Sequence, residues 1–183
     1  SEGAACPRCG GTLHLARSMV VGHTYQLGTR YSEPLKATFV DEDGTEQLYV
    51  MGTYGIGLPR VMAAVAEQYS DDAGLKWPVD LAPYAVVVII ANRDEERVVS
   101  EAERIYAELG QRGVEAVLDD REFAAGVKFA DADLIGFPVQ VVVGKRGIGT
   151  GTVDLKLRAT GERSQAPLAE AAEAAARLLA EAP

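Results

Sequence analysis

The chain has 183 residues, 48% hydrophobic and 25% charged, with a formal net charge of −9. That length suits one domain plus part of another, and it can bury a core without disulfide or metal staples. The composition is that of a globular protein, the negative mean field disfavours indiscriminate nucleic-acid binding, and no run of about 18 apolar residues is present to cross a membrane as a helix. The charge is uneven, however. Residues 121–163 hold 7 Lys/Arg against 5 Asp/Glu, whereas residues 1–120 hold 10 against 19 and residues 164–183 hold 1 against 3. An RNA contact is therefore expected in or beside the middle block.

Ser1 to Ala5 lacks a basic stretch leading into an apolar one, and the start lacks a methionine, which reads as a piece of a longer protein rather than a signal peptide. Cys6-Pro-Arg-Cys9-Gly follows. The two cysteines are too close to staple a fold and fit a reducing cytoplasm. They make half of a zinc knuckle. With no second such pair, and only His14 and His23 to add, the ligand count favours an unmetallated pair. Further on, Thr38–Val40 and Gln47–Met51 bracket Asp41-Glu-Asp-Gly44, a hairpin signal. Glycines at 52, 55 and 57 lead into Arg60–Gln68, a helix apolar on most sides and so expected to lie buried beneath an antiparallel sheet. Trp77 to Pro83, with a proline at 78 and another at 83, reads as a connector. The expected domains are thus residues 1–78 and 79–183.

The second part follows an α/β rhythm. Tyr84–Ala91 fits a buried strand and Glu95–Gln111 an amphipathic helix capped by Asn92 or Asp94, with Val98, Ala102, Ile105 and Leu109 inward. Val114–Leu118 is a second strand, Asp119-Asp120-Arg121 a polar loop, Lys128–Ile135 a short helix stopped by Gly136, and Val139–Val143 a third strand. Gly144–Gly151 reads as a glycine-rich turn, Thr152–Arg158 as an edge strand, and Pro167 as the opening of a final amphipathic helix. The fold class expected here is three-layer α/β, a mixed sheet of four or five strands flanked by about three helices, preceded by the antiparallel end of an α+β domain.

Gly52-Thr-Tyr-Gly55-Ile-Gly57-Leu-Pro-Arg60 is the most informative local pattern. It lacks the dinucleotide fingerprint and the P-loop lysine. Tight strand–helix packing would explain the glycines equally well. The arginine adds that an anionic partner or a cleft should lie alongside, because a guanidinium entering a buried helix needs one.

This segment resembles motif 3 of class II aminoacyl-tRNA synthetases in the form found in the bacterial-type prolyl-tRNA synthetases. Val21–Ser32, Trp77–Pro83, Leu118–Arg121, and Gly126–Gly136 with Val143–Arg146 resemble further segments of that family, in the same order. The resemblance implies an ATP-dependent, two-step transfer of proline to its tRNA through prolyl-adenylate, with Mg²⁺ neutralising the ATP, in a cytoplasmic homodimeric enzyme. It implies that Arg60 contacts the ATP γ-phosphate as the catalytic residue, and that His23, Tyr25, Gln26, Thr29, Gly52, Thr53, Gly55 and Gly57 surround ATP or proline. His23 serves equally as a satisfied histidine in a packed strand. Thr53 stands where many members carry cysteine, so no cysteine nucleophile is implied. Asp119, Asp120, Arg121, Lys128, Lys145 and Arg146 are the residues expected to face the anticodon. The bland reading makes Lys145 and Arg146 an ordinary turn and Asp131 and Asp133 a solvated helix face. Ala124-Ala125 replaces an Arg-Pro pair usual in the family. Motifs 1 and 2 and the editing insertion are absent, so these 183 residues alone should not aminoacylate. Sister synthetases for threonine, glycine or histidine, and a non-catalytic tRNA-binding relative, are the alternatives.

Overall fold

The computed structural model describes residues 1–182 and divides the chain into two compact units, Ser1–Ala64 and Val65–Pro183. In the first unit, β1 (Gly22–Gly28) is followed by a one-turn helix α1 (Ser32–Leu35) and by β2 (Thr38–Val40) and β3 (Glu46–Leu48), which form the expected hairpin. Asp41 makes that turn: its Oδ1 accepts from the backbone of Asp43 and Thr45, and Gly44 takes a left-handed φ of 77°. β3 ends at Leu48, earlier than the expected run, because Met51 already belongs to β4 (Met51–Ile56), the antiparallel partner of β1. Helix α2 (Leu58–Gln68) then begins.

The expectation of a buried α2 is not met. None of its residues is buried, and Leu58 and Met62 remain largely exposed. The two-stranded β1–β4 sheet is too small to cover an apolar helix, so α2 and the neighbouring Tyr54 and Ile56 present an unpartnered apolar surface.

The second unit opens with the end of α2 and a miniature hairpin, β5 (Ser70–Asp71) and β6 (Gly74–Leu75). β7 (Val86–Ile90), α3 (Glu96–Gln111), β8 (Ala116–Asp119), α4 (Ala125–Ile135), β9 (Val139–Val143), α5 (Lys145–Thr150), β10 (Thr152–Leu157), β11 (Arg163–Pro167) and α6 (Ala171–Ala180) complete it. The five-stranded sheet runs β11-β10-β9-β7-β8, parallel across β8, β7 and β9 and antiparallel beyond. β7 is apolar at every position because both its faces are covered. Val86, Val88 and Ile90 face α3 and α6, through Val98, Ala102, Ile105 and Leu109 of the former and Ala171, Ala172 and Ala175 of the latter. Val87 and Ile89 face Phe129 and Ala132 of α4. The two crossover helices thus lie on opposite faces, and the chain reverses direction across β7.

Two expectations change here. Gly144–Gly151 is a short helix rather than a turn, and Thr152–Leu157 is an inner strand, because Arg163–Pro167 adds an edge beside it. Compactness also divides the chain at 64/65 rather than at the connector. The reason is local: Gly74 and Trp77 lie against the end of α4, and Asp71 is bound by Arg158, which follows β10.

Candidate functional site

In the first unit, antiparallel register pairs His23 with Gly55 and Tyr25 with Thr53, so strand alternation gathers these four on one face. The His23 and Tyr25 rings stack at 5.4 Å. A Cβ built on Gly55 meets nothing within 4 Å, leaving the backbone there open to approach by a flat ligand. Arg60 stands at the end of this face. Its Nη1 donates to the Val20 carbonyl at 2.7 Å, its backbone N–H donates to Gly57, and among the described residues no carboxylate pairs with it. His23, Tyr25, Thr53, Gly55, Gly57 and Arg60 line one hollow of ≈350 Å³. Gln26 and Gly52, an adjacent pair in the register, fall on the opposite face by alternation, and Thr29 lies beyond the bulge that follows Gln26. The hollow contains no carboxylate, and no group of three metal-ligating side chains occurs among the described residues. The residues present therefore do not make a Mg²⁺ site. Cys6 and Cys9 are free thiols on a turn closed by Gly10 N–H donating to the Cys6 carbonyl.

In the second unit, the remaining predicted residues collect at the carboxyl ends of the three parallel strands, where ligands of open α/β sheets bind. Asp119 ends β8 and is nearly buried. Its carboxylate accepts from Arg121 Nε at 2.9 Å and Nη2 at 2.8 Å. Burial pushes the Asp119 carboxyl up, and the Arg121 hydrogen bonds outweigh it, leaving the group below its ordinary value. Arg121 Nη1 also pairs with Asp131 at 2.8 Å, and Asp120 lies exposed beside Arg93. Lys145 is exposed and pairs with Asp94 at 2.7 Å, and Arg146 beside it is free to solvent. Asn92 and Asp94 do not cap α3. Asn92 Oδ1 instead accepts from the Lys145 backbone, so both side chains hold the start of α5.

Lys128 was expected to face RNA. It is 1% exposed, and its Nζ donates to the carbonyls of Ile90 at 2.8 Å and Asp119 at 3.1 Å. That geometry makes it a structural residue that ties β7 to β8. Asp131 and Asp133 are not a solvated face either, since Arg121 holds one and Lys156 the other.

The sequence reading missed a groove of ≈790 Å³ over the face of β9, β10 and β11 that α4 leaves uncovered. Gln140, Asp154, Lys156, Arg163 and Gln165 line it together with Lys145 and Arg146. Asp133 fixes its floor, accepting from Gln140 at 2.8 Å and Lys156 at 2.5 Å. Behind the floor, Arg158 donates from both terminal nitrogens to Asp71, at 2.8 and 2.6 Å, and from Nε to the Asp133 carbonyl at 3.2 Å. The alternation of 152–157 carried the signal, because Asp154 and Lys156 fall on the face opposite the buried Val153, Leu155 and Leu157.

The family model for the anticodon binding domain matches residues 85–178, which spans the five-stranded sheet and its helices. The chain belongs to the anticodon-binding domain family. The anticodon-binding domain therefore supplies the carboxyl-edge cluster and the groove. Relatives extend the similarity into the first unit. The chain is 47% identical over 178 residues, 97% of its length, to the "Proline--tRNA ligase" of Geobacillus kaustophilus. It is 43% identical over 180 residues, 98% of its length, to that of Thermoanaerobacter sp., and 48% identical over 162 residues, 88% of its length, to that of Aquifex aeolicus. It spans 28–31% of the length of these relatives. No helix among the described residues is long and apolar enough to cross a membrane.

Proposed function

We propose that this chain is the C-terminal portion of a proline--tRNA ligase, in which the first unit carries part of the ATP and proline site and the second binds the anticodon of the proline tRNA. The observation that carries the reading is the identity of 43–47% over 97–98% of the chain, which takes in both units rather than the anticodon-binding domain alone. Relatives bearing the proline name do not favour a sister synthetase for threonine, glycine or histidine. In this reading the rest of the protein covers the apolar surface of α2, and the protein acts in the cytoplasm as a homodimer.

The chemistry is the attack of a proline carboxylate oxygen on the ATP α-phosphate, releasing pyrophosphate, and then attack of a hydroxyl at the tRNA 3′ end on the prolyl carbonyl, releasing AMP. Positioning and charge stabilisation do most of the work in such a displacement. Arg60 would donate to a phosphate from the nitrogens not spent on Val20, while the open backbone at Gly55 and the side chains of His23, Tyr25 and Thr53 floor the adenylate. Mg²⁺ would arrive with ATP, and no residue of this chain is assigned to it. At the carboxyl edge, Asp120, Lys145 and Arg146 are the exposed charged groups suited to RNA, with the groove side chains behind them.

The test is proline-dependent ATP–pyrophosphate exchange by the full-length protein. Arg60→Ala should lower exchange by ~10²–10³-fold, the loss seen for one preorganised anion donor, with an unchanged melting temperature. Near-normal exchange by the folded variant refutes the role of Arg60, and no exchange by the unaltered protein refutes the reading.

A further inference from the structure

We infer that Phe123 is a stacking platform for an unpaired nucleobase, with the Arg121 guanidinium as its fixed backing; the inference rests on the tRNA-binding reading above. The loop after β8 carries Phe123 outward at the carboxyl edge of the parallel strands, where its side chain keeps 56% exposure. An exposed aromatic ring alone is unremarkable. Arg121 makes the difference: its guanidinium carbon lies 5.3 Å from the Phe123 ring centroid. That guanidinium cannot swing away, because Nε and Nη2 are bound to Asp119 and Nη1 to Asp131.

The same three bonds remove the edge that would read guanine O6 and N7. Arg121 therefore has a planar face to offer and not a hydrogen-bonding fork. A cation held over a ring strengthens the platform, and bases stack on such aromatic and guanidinium planes when single-stranded. Arg93 and Lys145, both exposed, follow the same edge and suit the phosphates on either side. Among the described residues, the other cation–aromatic pair, Arg30 over Tyr31, has no carboxylate holding its arginine. Because every base has a π-face, Phe123 would contribute affinity and hold the loop open, leaving the choice of base to other residues.

The experiment is a titration of the 183-residue chain with a hairpin RNA carrying the proline anticodon and with the same hairpin lacking its two anticodon guanines. Phe123→Leu, which keeps apolar bulk without a π-face, and Phe123→Ala should each weaken both RNAs by roughly ten-fold or more. Phe123→Trp should restore affinity, and its added indole emission should be quenched by RNA. Unchanged affinity in Phe123→Leu, or Trp emission indifferent to RNA, overturns the platform alone if the unaltered chain still prefers the proline hairpin. A chain that binds neither RNA overturns the tRNA-binding reading and the platform together.

Discussion

Lys128 holds the carboxyl ends of two parallel strands together, and it does so from inside the protein. Strand-end carbonyls without a ladder partner need a donor, and Nζ supplies one to Ile90 and one to Asp119. Burial pulls the ammonium below its usual value, and the nearby Asp119 carboxylate opposes that pull. Lys128→Met should cost on the order of 2–4 kcal/mol, since it strands two buried acceptors and weakens the setting of Asp119. Urea denaturation should show the loss as an earlier midpoint, and an unchanged midpoint would count against the role. The sequence could not place this side chain. Lys128 lies on the buried stripe with Ala132, four residues on, but its acceptors come from positions 38 and 9 residues away. Arg121 was misleading in a related way: its type suits guanine, and only the fold reveals that Asp119 and Asp131 already occupy its edge.

At the scale of elements, the joint between the small hairpin and the end of α4 leaves no room for a side chain at either of its glycines. A Cβ on Gly74 would sit 2.3 Å from the Leu134 Cα, and one on Gly136 would sit 2.5 Å from the Leu75 carbonyl oxygen. Both glycines also have positive φ, 141° and 85°. Trp77 Nε1 completes the joint by donating to the Ile135 carbonyl at 3.1 Å. Gly136→Ala should therefore push β6 off α4 and destabilise the unit by more than ~1 kcal/mol, the ordinary cost of an alanine forced into the left-handed region. Hydrogen exchange should report it as selective loss of protection at residues 69–77, and uniform protection would count against the joint. Element by element, β7, α3, β9 and α6 were legible, because their apolar periodicity is set by burial on known faces. β11 was not, since Arg163-Ser-Gln-Ala-Pro offers one buried residue, Ala166, and no alternation of apolar side chains. The buried α2 was overcalled for the converse reason: apolar periodicity states what a helix needs, and no surface among the described residues meets that need.

At the scale of the whole molecule, three carboxylates make the second unit sensitive to acid. Hydrogen bonds from Arg158 hold Asp71 far below the ordinary carboxylate range. Burial raises Asp119 and Asp133, yet Arg121 outweighs it at the first and Lys156 with Gln140 at the second. All three folded values lie below the unfolded ones, so the stability they contribute is present above the unfolded value of about 4 and is lost as pH falls through the folded values. Thermal melts should be level from pH 7 to 5 and fall steeply below about pH 4. Asp71→Asn should melt lower at neutral pH and show a shallower acid decline; a decline as steep as that of the unaltered chain would remove Asp71 from the account. The expected division into two parts was drawn at the prolines at 78 and 83, and charge pairing across 87 positions is invisible to composition. That pairing limits how the domain can travel between proteins. The family match begins at residue 85, after Asp71, while Arg158 inside the match is almost wholly buried against it. A protein that carried only the matched stretch would leave that guanidinium facing the Asp133 carboxylate, 3.8 Å from its Nε, without the two short bonds to Asp71. The stretch that satisfies Arg158 is thus longer at its front than the recognisable domain.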